Sequence, residues 1–417
     1  MNIVENIKNN MLKYVEYFLL SLLTIFLIFP MKQAKYILIL ISIPWIVIAY
    51  INDKKGFIDF FIKRHFVNYT VYIWILFNMY VNFFTKIIPF SFNFIAVAFA
   101  LLLYLYYVKK ENKTGIYTMV ITALSTIVVV NLITTIAVIV NNQISRLLST
   151  SIKESFNYFG IGNYSYIYGL VFVSLALIMV LIYSKKNWKI KLILSILFIL
   201  SVLCIYKTAF LIAIILLVFG LLLVILRINT IKKLACYMVI GIIMCFVLVY
   251  SGLALRFFTY LSKNTNNHYF KSRFNDIVLV LKKEDISKTD DLKIRLSVYK
   301  YSVDAFVESP VIGMLNENYL TTKKQAGGHS AILDEFARYG FLFSIPFFTM
   351  MFFVINEIRK SFKNIKYRRC WFIIILCAII LGLINTMIFP TLIFMLFSIV
   401  PTILKYCELS SEKESVN

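Results

Sequence analysis

The sequence predicts an all-α polytopic membrane protein of about twelve transmembrane helices, with one large extracytoplasmic loop between the ninth and the tenth. Three observations carry this expectation. Of the 417 residues 61% are hydrophobic and the mean hydropathy is +0.83, which in a soluble domain would expose more apolar surface than water tolerates. Apolar runs long enough to cross a hydrocarbon core of about 30 Å recur along the chain. Lysine and arginine gather in alternate short loops.

Taken in order, Met1 to Lys13 is polar, so the first apolar run reads as a retained helix and not as a cleaved signal. The expected spans lie near 14–30, 35–51, 66–84, 87–108, 116–140, 164–183, 190–206, 208–226, 234–253, 339–356, 371–388 and 389–405. Pro390 either bends one helix there or separates two short ones. The corresponding organisation is a bundle over 1–253, a large loop over 254–338, further transmembrane helices over 339–405 and a cytoplasmic tail over 406–417.

Basic residues concentrate on the cytoplasmic side of short loops. Segments 54–64, 109–113, 185–191, 227–233 and 359–369 carry four, three, four, three and six of them, while the alternate loops hold only Lys32 with Lys35, Lys86, Arg146 with Lys153, and Lys207. Both termini are therefore expected in the cytoplasm, and the protein in the cytoplasmic membrane. The same pattern absorbs much of the formal net charge of +23, so nucleic acid is not an expected partner. The six cysteines, Cys204, Cys236, Cys245, Cys370, Cys377 and Cys407, lie in or beside apolar runs with no metal-ligand spacing, and read as small packing residues.

That orientation puts the polar segment from Ala254 to Arg338 outside the cytoplasm, and a loop of this length is rarely a mere connector. Within it Ile294 to Glu308 has helical spacing, with Arg295, Tyr299, Ser302 and Phe306 on one stripe at i, i+4, i+7 and i+11. Ser309-Pro310 ends that helix, Gly313 marks a turn, and the chain then reaches Gly327-Gly328-His329 at the start of the next helix. A helix N-terminus disfavours imidazolium and keeps the ring neutral, and Gly327 and Gly328 let a bulky ligand approach the backbone. His329 is therefore a candidate general base; the plainer alternative is that it caps or packs at the membrane interface. Asp334 is spaced for an intrahelical pair with Arg338, and His268 reads as a solvated loop residue.

Lys207, in Tyr206-Lys207-Thr208-Ala209, interrupts an apolar stretch with almost no loop. It either binds an anion at membrane depth or snorkels to the outer interface. Arg295 and Arg273 have the forked geometry that grips a diphosphate, against salt bridges to nearby aspartates; Arg146 is a weaker member of this group. The chain has no phosphate-binding glycine loop, dinucleotide fingerprint, paired-cysteine zinc pattern or Gly-x-Ser-x-Gly turn, so no cofactor is expected. Chemistry outside the cytoplasm without nucleotides needs an already activated substrate.

At these residues the chain resembles the Wzy-type O-antigen and capsule polymerases and the related O-antigen ligases. The resemblance rests on Arg295-Leu296-Ser297-Val298-Tyr299, Glu308-Ser309-Pro310-Val311-Ile312-Gly313, Gly328-His329-Ser330 with Leu333-Asp334, and Ala337-Arg338-Tyr339-Gly340. It is motif-specific from about residue 200 to 345. Tyr206-Lys207-Thr208-Ala209 stands where that superfamily shows Ser-Arg and small residues, and lysine there keeps the charge but loses the fork.

The resemblance implies a metal-independent GT-C-like glycosyltransferase whose donor is a glycan on undecaprenyl diphosphate. His329 would activate the acceptor hydroxyl, Arg295 and Lys207, with Arg273, would bind the diphosphate, and Tyr299, Gly327 and Gly328 would lie near the substrate. Membrane lipid, a flippase and a chain-length regulator are the implied partners. The polymerase is the leading expectation for O-antigen, capsule or exopolysaccharide synthesis, the ligase its enzymatic alternative. A lipid-linked glycan flippase ranks below both, because the polar residues collect in one loop and the halves do not repeat.

Overall fold

The computed structural model describes residues 3–29, 34–63, 66–85, 93–141, 161–183, 188–226, 231–265, 267–282, 290–315, 329–387 and 389–414. All regular structure among them is helical. In order the helices are α1 (Ile3–Ile28), α2 (Ala34–Asn52), α3 (Lys54–Ile58), α4 (Phe66–Thr85), α5 (Asn93–Lys109), α6 (Lys113–Val140), α7 (Tyr164–Tyr183) and α8 (Trp188–Lys207). There follow α9 (Leu211–Ile225), α10 (Ile231–Tyr250), α11 (Leu253–Asn264), α12 (His268–Leu281), α13 (Asp290–Glu308), α14 (Ala331–Ser361), α15 (Ile365–Ile384), α16 (Pro390–Phe394) and α17 (Val400–Glu414), the last two joined by a π-helical turn over Met395–Ile399.

Each expected apolar run coincides with one or more of these helices. Seven helices among the described residues are long and apolar enough to cross a membrane, or nine if each of two bent pairs counts as one span. The chain is thus an all-α, multi-pass, membrane-embedded protein. Pro390 separates two helices, standing at the first position of α16, where its missing N–H costs nothing. α17 runs to Glu414, past the expected boundary at 405, and buries Lys405, Cys407 and Glu408. Of the cysteines, Cys204, Cys370, Cys377 and Cys407 are free and buried, and Cys236 is free and exposed; Cys245 has its side chain outside the described set.

Two units divide the chain: Met1–Thr208 with Ser344–Ile375 and Met387–Asn417, and Ala209–Phe343 with Leu376–Thr386. In the first unit α1 packs on α2 and α6, α7 on α8, and α5 on α16. Some of its buried polar groups are paired across helices, which offsets the cost of placing them in an apolar interior. Tyr166 Oη donates to Asn131 Oδ1 at 2.8 Å and Asn131 Nδ2 to Ser201 Oγ at 3.2 Å, tying α6, α7 and α8. Lys405 Nζ meets Glu408 Oε2 at 2.6 Å and donates to the Ser361 carbonyl at 2.7 Å, while Glu408 Oε1 accepts the Asn364 N–H at 2.7 Å. One ion pair therefore caps the end of α14 and holds the connection to α15.

In the second unit, the described residues of the polar segment expected as a loop include α11, α12, α13 and the start of α14. α11 follows α10 after a bend of 74° at Gly252, whose φ of 70° is left-handed, and α11 packs on α12. α13 ends at Glu308, as Ser309-Pro310 requires.

Beyond α13 the chain makes a backbone-to-backbone contact with α14. Gly340, at φ 61° and ψ −170°, breaks the helical path of α14. The Phe341 and Leu342 N–H groups donate instead to the Pro310 and Val311 carbonyls at 2.7 and 3.0 Å. Gly313, also at φ 61°, lies opposite: a Cβ on it would stand 2.4 Å from the Gly340 nitrogen, and a Cβ on Gly340 would stand 2.4 Å from the Val311 carbonyl. Neither position has room for a methyl group, and neither conformation suits an L side chain. Gly313→Ala and Gly340→Ala should each cost at least about 2 kcal/mol. The measurement is the thermal midpoint of detergent-solubilised protein, with Gly241→Ala, where nothing lies within 4 Å of the added Cβ, as the control expected to behave as wild type.

Candidate functional site

The first turn of α14, the stripe on α13 and the end of α15 come together in the second unit. Ser330 is the N-cap residue: its Oγ accepts the Leu333 N–H at 3.1 Å and donates to the Gly382 carbonyl at 3.2 Å. The Ala331 N–H donates to the Asn385 carbonyl at 3.0 Å. Two of the N–H groups that a helix start leaves unsatisfied are thus paired, one by Ser330 and one by the chain following α15.

Asp334 locks this turn to α13. Its Oδ1 accepts from Ser302 Oγ at 2.8 Å and its Oδ2 accepts the Ser330 N–H at 3.2 Å. Both Ser302 and Asp334 are buried, and a carboxylate removed from water is stabilised by such donors and by the helix N-terminus. Farther along the same faces Phe306 meets Phe336 with ring centroids 5.7 Å apart, and Ala305 and Ala337 are fully buried with Met314 packed against them. Tyr299 Oη donates to the Ile384 carbonyl. The expected stripe of Tyr299, Ser302 and Phe306 therefore exists, and its members pack against the His329 segment and the end of α15.

His329 is half-buried and immediately precedes the Ser330 cap, one position outside the helix. Gly327 and Gly328 lie outside the described residues, as does Arg146. Arg295 lies in α13 one turn before Tyr299, its side chain outside the described set; the same holds for the side chain of His268, the first residue of α12. Lys207 ends α8 and belongs to the first unit. Next to it Thr208 is buried with Oγ1 donating to the Ile205 carbonyl at 2.9 Å, and Ala209 adopts a left-handed φ of 58°. This tight reversal is the near-absent loop the sequence suggested. Arg273 pairs with Asp276 one turn on, at 3.4 Å, the salt bridge set against its role as a diphosphate ligand.

Two residues in α14 differ from their expected arrangement. The i, i+4 pair of Asp334 and Arg338 does not form, because Asp334 is taken by Ser302 and Ser330. Arg338, half-buried, has no ion pair or hydrogen bond among the described residues. Glu335 is 4% exposed, and its carboxyl group has no hydrogen-bond partner among them. Spacing alone gave no signal of this, since it pairs Arg338 with whichever acid stands a turn before it.

No protein-family model matches the chain, and comparison with curated proteins gives no match.

Asp334→Ala would strand the Ser302 hydroxyl and the Ser330 N–H in a buried setting, and should lower stability by about 2 kcal/mol or more. Ser330→Ala, which removes the cap alone, should cost about 1 kcal/mol. Thermal unfolding of the two variants checks the order; an Asp334→Ala protein as stable as wild type would remove Asp334 from this structural role.

Proposed function

We propose that the protein is a polysaccharide polymerase, which joins oligosaccharide repeat units carried on undecaprenyl diphosphate at the outer face of the cytoplasmic membrane. The supporting observation is the Ser302–Asp334 hydrogen bond at 2.8 Å. It joins the Arg295–Phe306 stripe to the helix turn that follows His329, so two motifs distant in sequence belong to one local structure. The resemblance to Wzy-type polymerases, stated on these same motifs, supplies the chemistry.

In this reading the chain crosses the membrane about twelve times in a GT-C-like arrangement. Both termini face the cytoplasm, and the polar segment around α11 to α13 lies outside. The alternation of basic and poorly basic loops supports that orientation. The His329 imidazole takes the proton of an acceptor hydroxyl, whose oxygen bonds to the anomeric carbon of the donor as the bond from that carbon to the diphosphate oxygen breaks. Negative charge gathering on the departing lipid diphosphate is neutralised by Arg295. Arg273, already paired with Asp276, contributes less. A flippase delivers the donor, and a chain-length regulator sets how often the cycle repeats.

His329→Ala, inserted normally, should slow polymerisation by about 10² to 10⁴-fold and leave single repeat units on the lipid carrier. The assay incubates purified protein with defined lipid-linked repeat units and measures product length. Polymer at wild-type levels from the variant would remove His329 from catalysis. Transfer by wild type only to a separate added acceptor would favour the ligase chemistry.

A further inference from the structure

We propose that Arg338 and Glu335 form an additional ligand-binding pair, in which Arg338 holds a phosphate of the lipid diphosphate and Glu335 accepts a hydrogen bond from the sugar beside it. The diphosphate identity rests on the polymerase reading given above. The pair itself rests on geometry.

Asp334 is the acid that helical spacing would assign to Arg338, and it is committed to Ser302 and Ser330. That leaves a half-buried guanidinium with no hydrogen bond or ion pair among the described residues. One turn before it Glu335, 4% exposed, also lacks a hydrogen-bond partner. The two groups act on each other electrostatically, but no hydrogen bond completes either among the described residues, and ionisable residues at membrane depth often mark ligand paths.

The two residues are three apart on one helix, a rise of about 4.5 Å, and share a face. A ligand completing both must offer an anion to the guanidinium and, a few ångströms away, an O–H or N–H to the carboxyl group. A sugar linked through its anomeric carbon to a diphosphate has that layout, with the phosphate next to a hydroxyl or acetamido group on the neighbouring carbon. A guanidinium fork also matches phosphate oxygens better than an ammonium does. The helix bearing the pair is fixed at its start by Ser330 and at its break by Gly340, so the two groups are presented from an immobilised turn.

The test uses full-length protein in detergent with farnesyl diphosphate as the probe, measuring its affinity and the ligand-free thermal midpoint. The variants are Arg338→Gln, Arg338→Lys and Glu335→Gln. Arg338→Gln should keep the ligand-free midpoint and lose about tenfold or more in affinity, with Arg338→Lys intermediate. Glu335→Gln should leave farnesyl diphosphate binding within about twofold but weaken a glycosylated polyprenyl diphosphate by about tenfold. The proposal is overturned if Arg338→Gln binds farnesyl diphosphate as wild type does, or if Arg338→Gln and Arg338→Lys both lower the ligand-free midpoint without changing affinity, which is the behaviour of a structural residue. Equal competition by phosphatidylglycerol or by inorganic pyrophosphate would also overturn it, assigning the pair to a lipid headgroup or to free phosphate. Polymerisation is assayed separately: wild type that binds farnesyl diphosphate through Arg338 yet makes no polymer would refute the polymerase reading and leave the binding pair standing.

Discussion

Where Gly313 and Gly340 meet, two stretches of backbone approach so closely that hydrogen bonds pass directly between them, and the local structure of the second unit depends on this contact. The part of α14 before the break, Ala331–Tyr339, is nine residues long, too short to persist as a helix without outside support. Its start is held by Ser330 and by the Ala331 N–H on the Asn385 carbonyl. Its end is held because the N–H groups of Phe341 and Leu342, freed by the break, find the Pro310 and Val311 carbonyls. A side chain at either glycine would occupy the volume through which those bonds pass.

The short helix is in turn what makes a buried carboxylate useful. Asp334 collects one hydrogen bond from its own helix start and one from α13, so the first turn of α14 and the α13 stripe share one charged acceptor. In a low-dielectric setting such hydrogen bonds are stronger, and the cost of leaving one unmade is larger. His329 stands immediately before this turn and inherits its rigidity through the cap. A candidate base needs that: a histidine on a freely moving chain would spend little time within reach of an acceptor hydroxyl.

Much of this organisation was legible in the sequence, for identifiable reasons. Apolar runs of sufficient length admit few structures besides membrane helices, so their positions agree with the helices observed, and Ser309-Pro310 stops α13 where backbone sterics require. Helical spacing also selected Tyr299, Ser302 and Phe306 as one face. The partners of that face were not legible, because they depend on contacts across long separations: Ser302 with Asp334, and Tyr299 with the Ile384 carbonyl. The extension of α17 to Glu414 was missed for a related reason. Its Lys405–Glu408 pair looks like solvated charge in the sequence, and becomes a buried clasp only when the Ser361 carbonyl and the Asn364 N–H are placed beside it.

The misassigned Asp334–Arg338 pair carries the most weight, because local spacing and tertiary structure compete there for one carboxylate. An exposed i, i+4 ion pair stabilises a helix by only a few tenths of a kcal/mol, whereas a buried carboxylate satisfied by a hydroxyl and a backbone N–H gains more from each donor. Tertiary structure wins on those magnitudes, and Arg338 is left without the ion pair that helical spacing offers it. Had the helix started one residue later, the cap and the clasp would have lost their register, and Asp334 would have been free to take the arginine. The Ser330 cap thus settles two questions together: where α14 begins, and whether Asp334 is free to pair with Arg338.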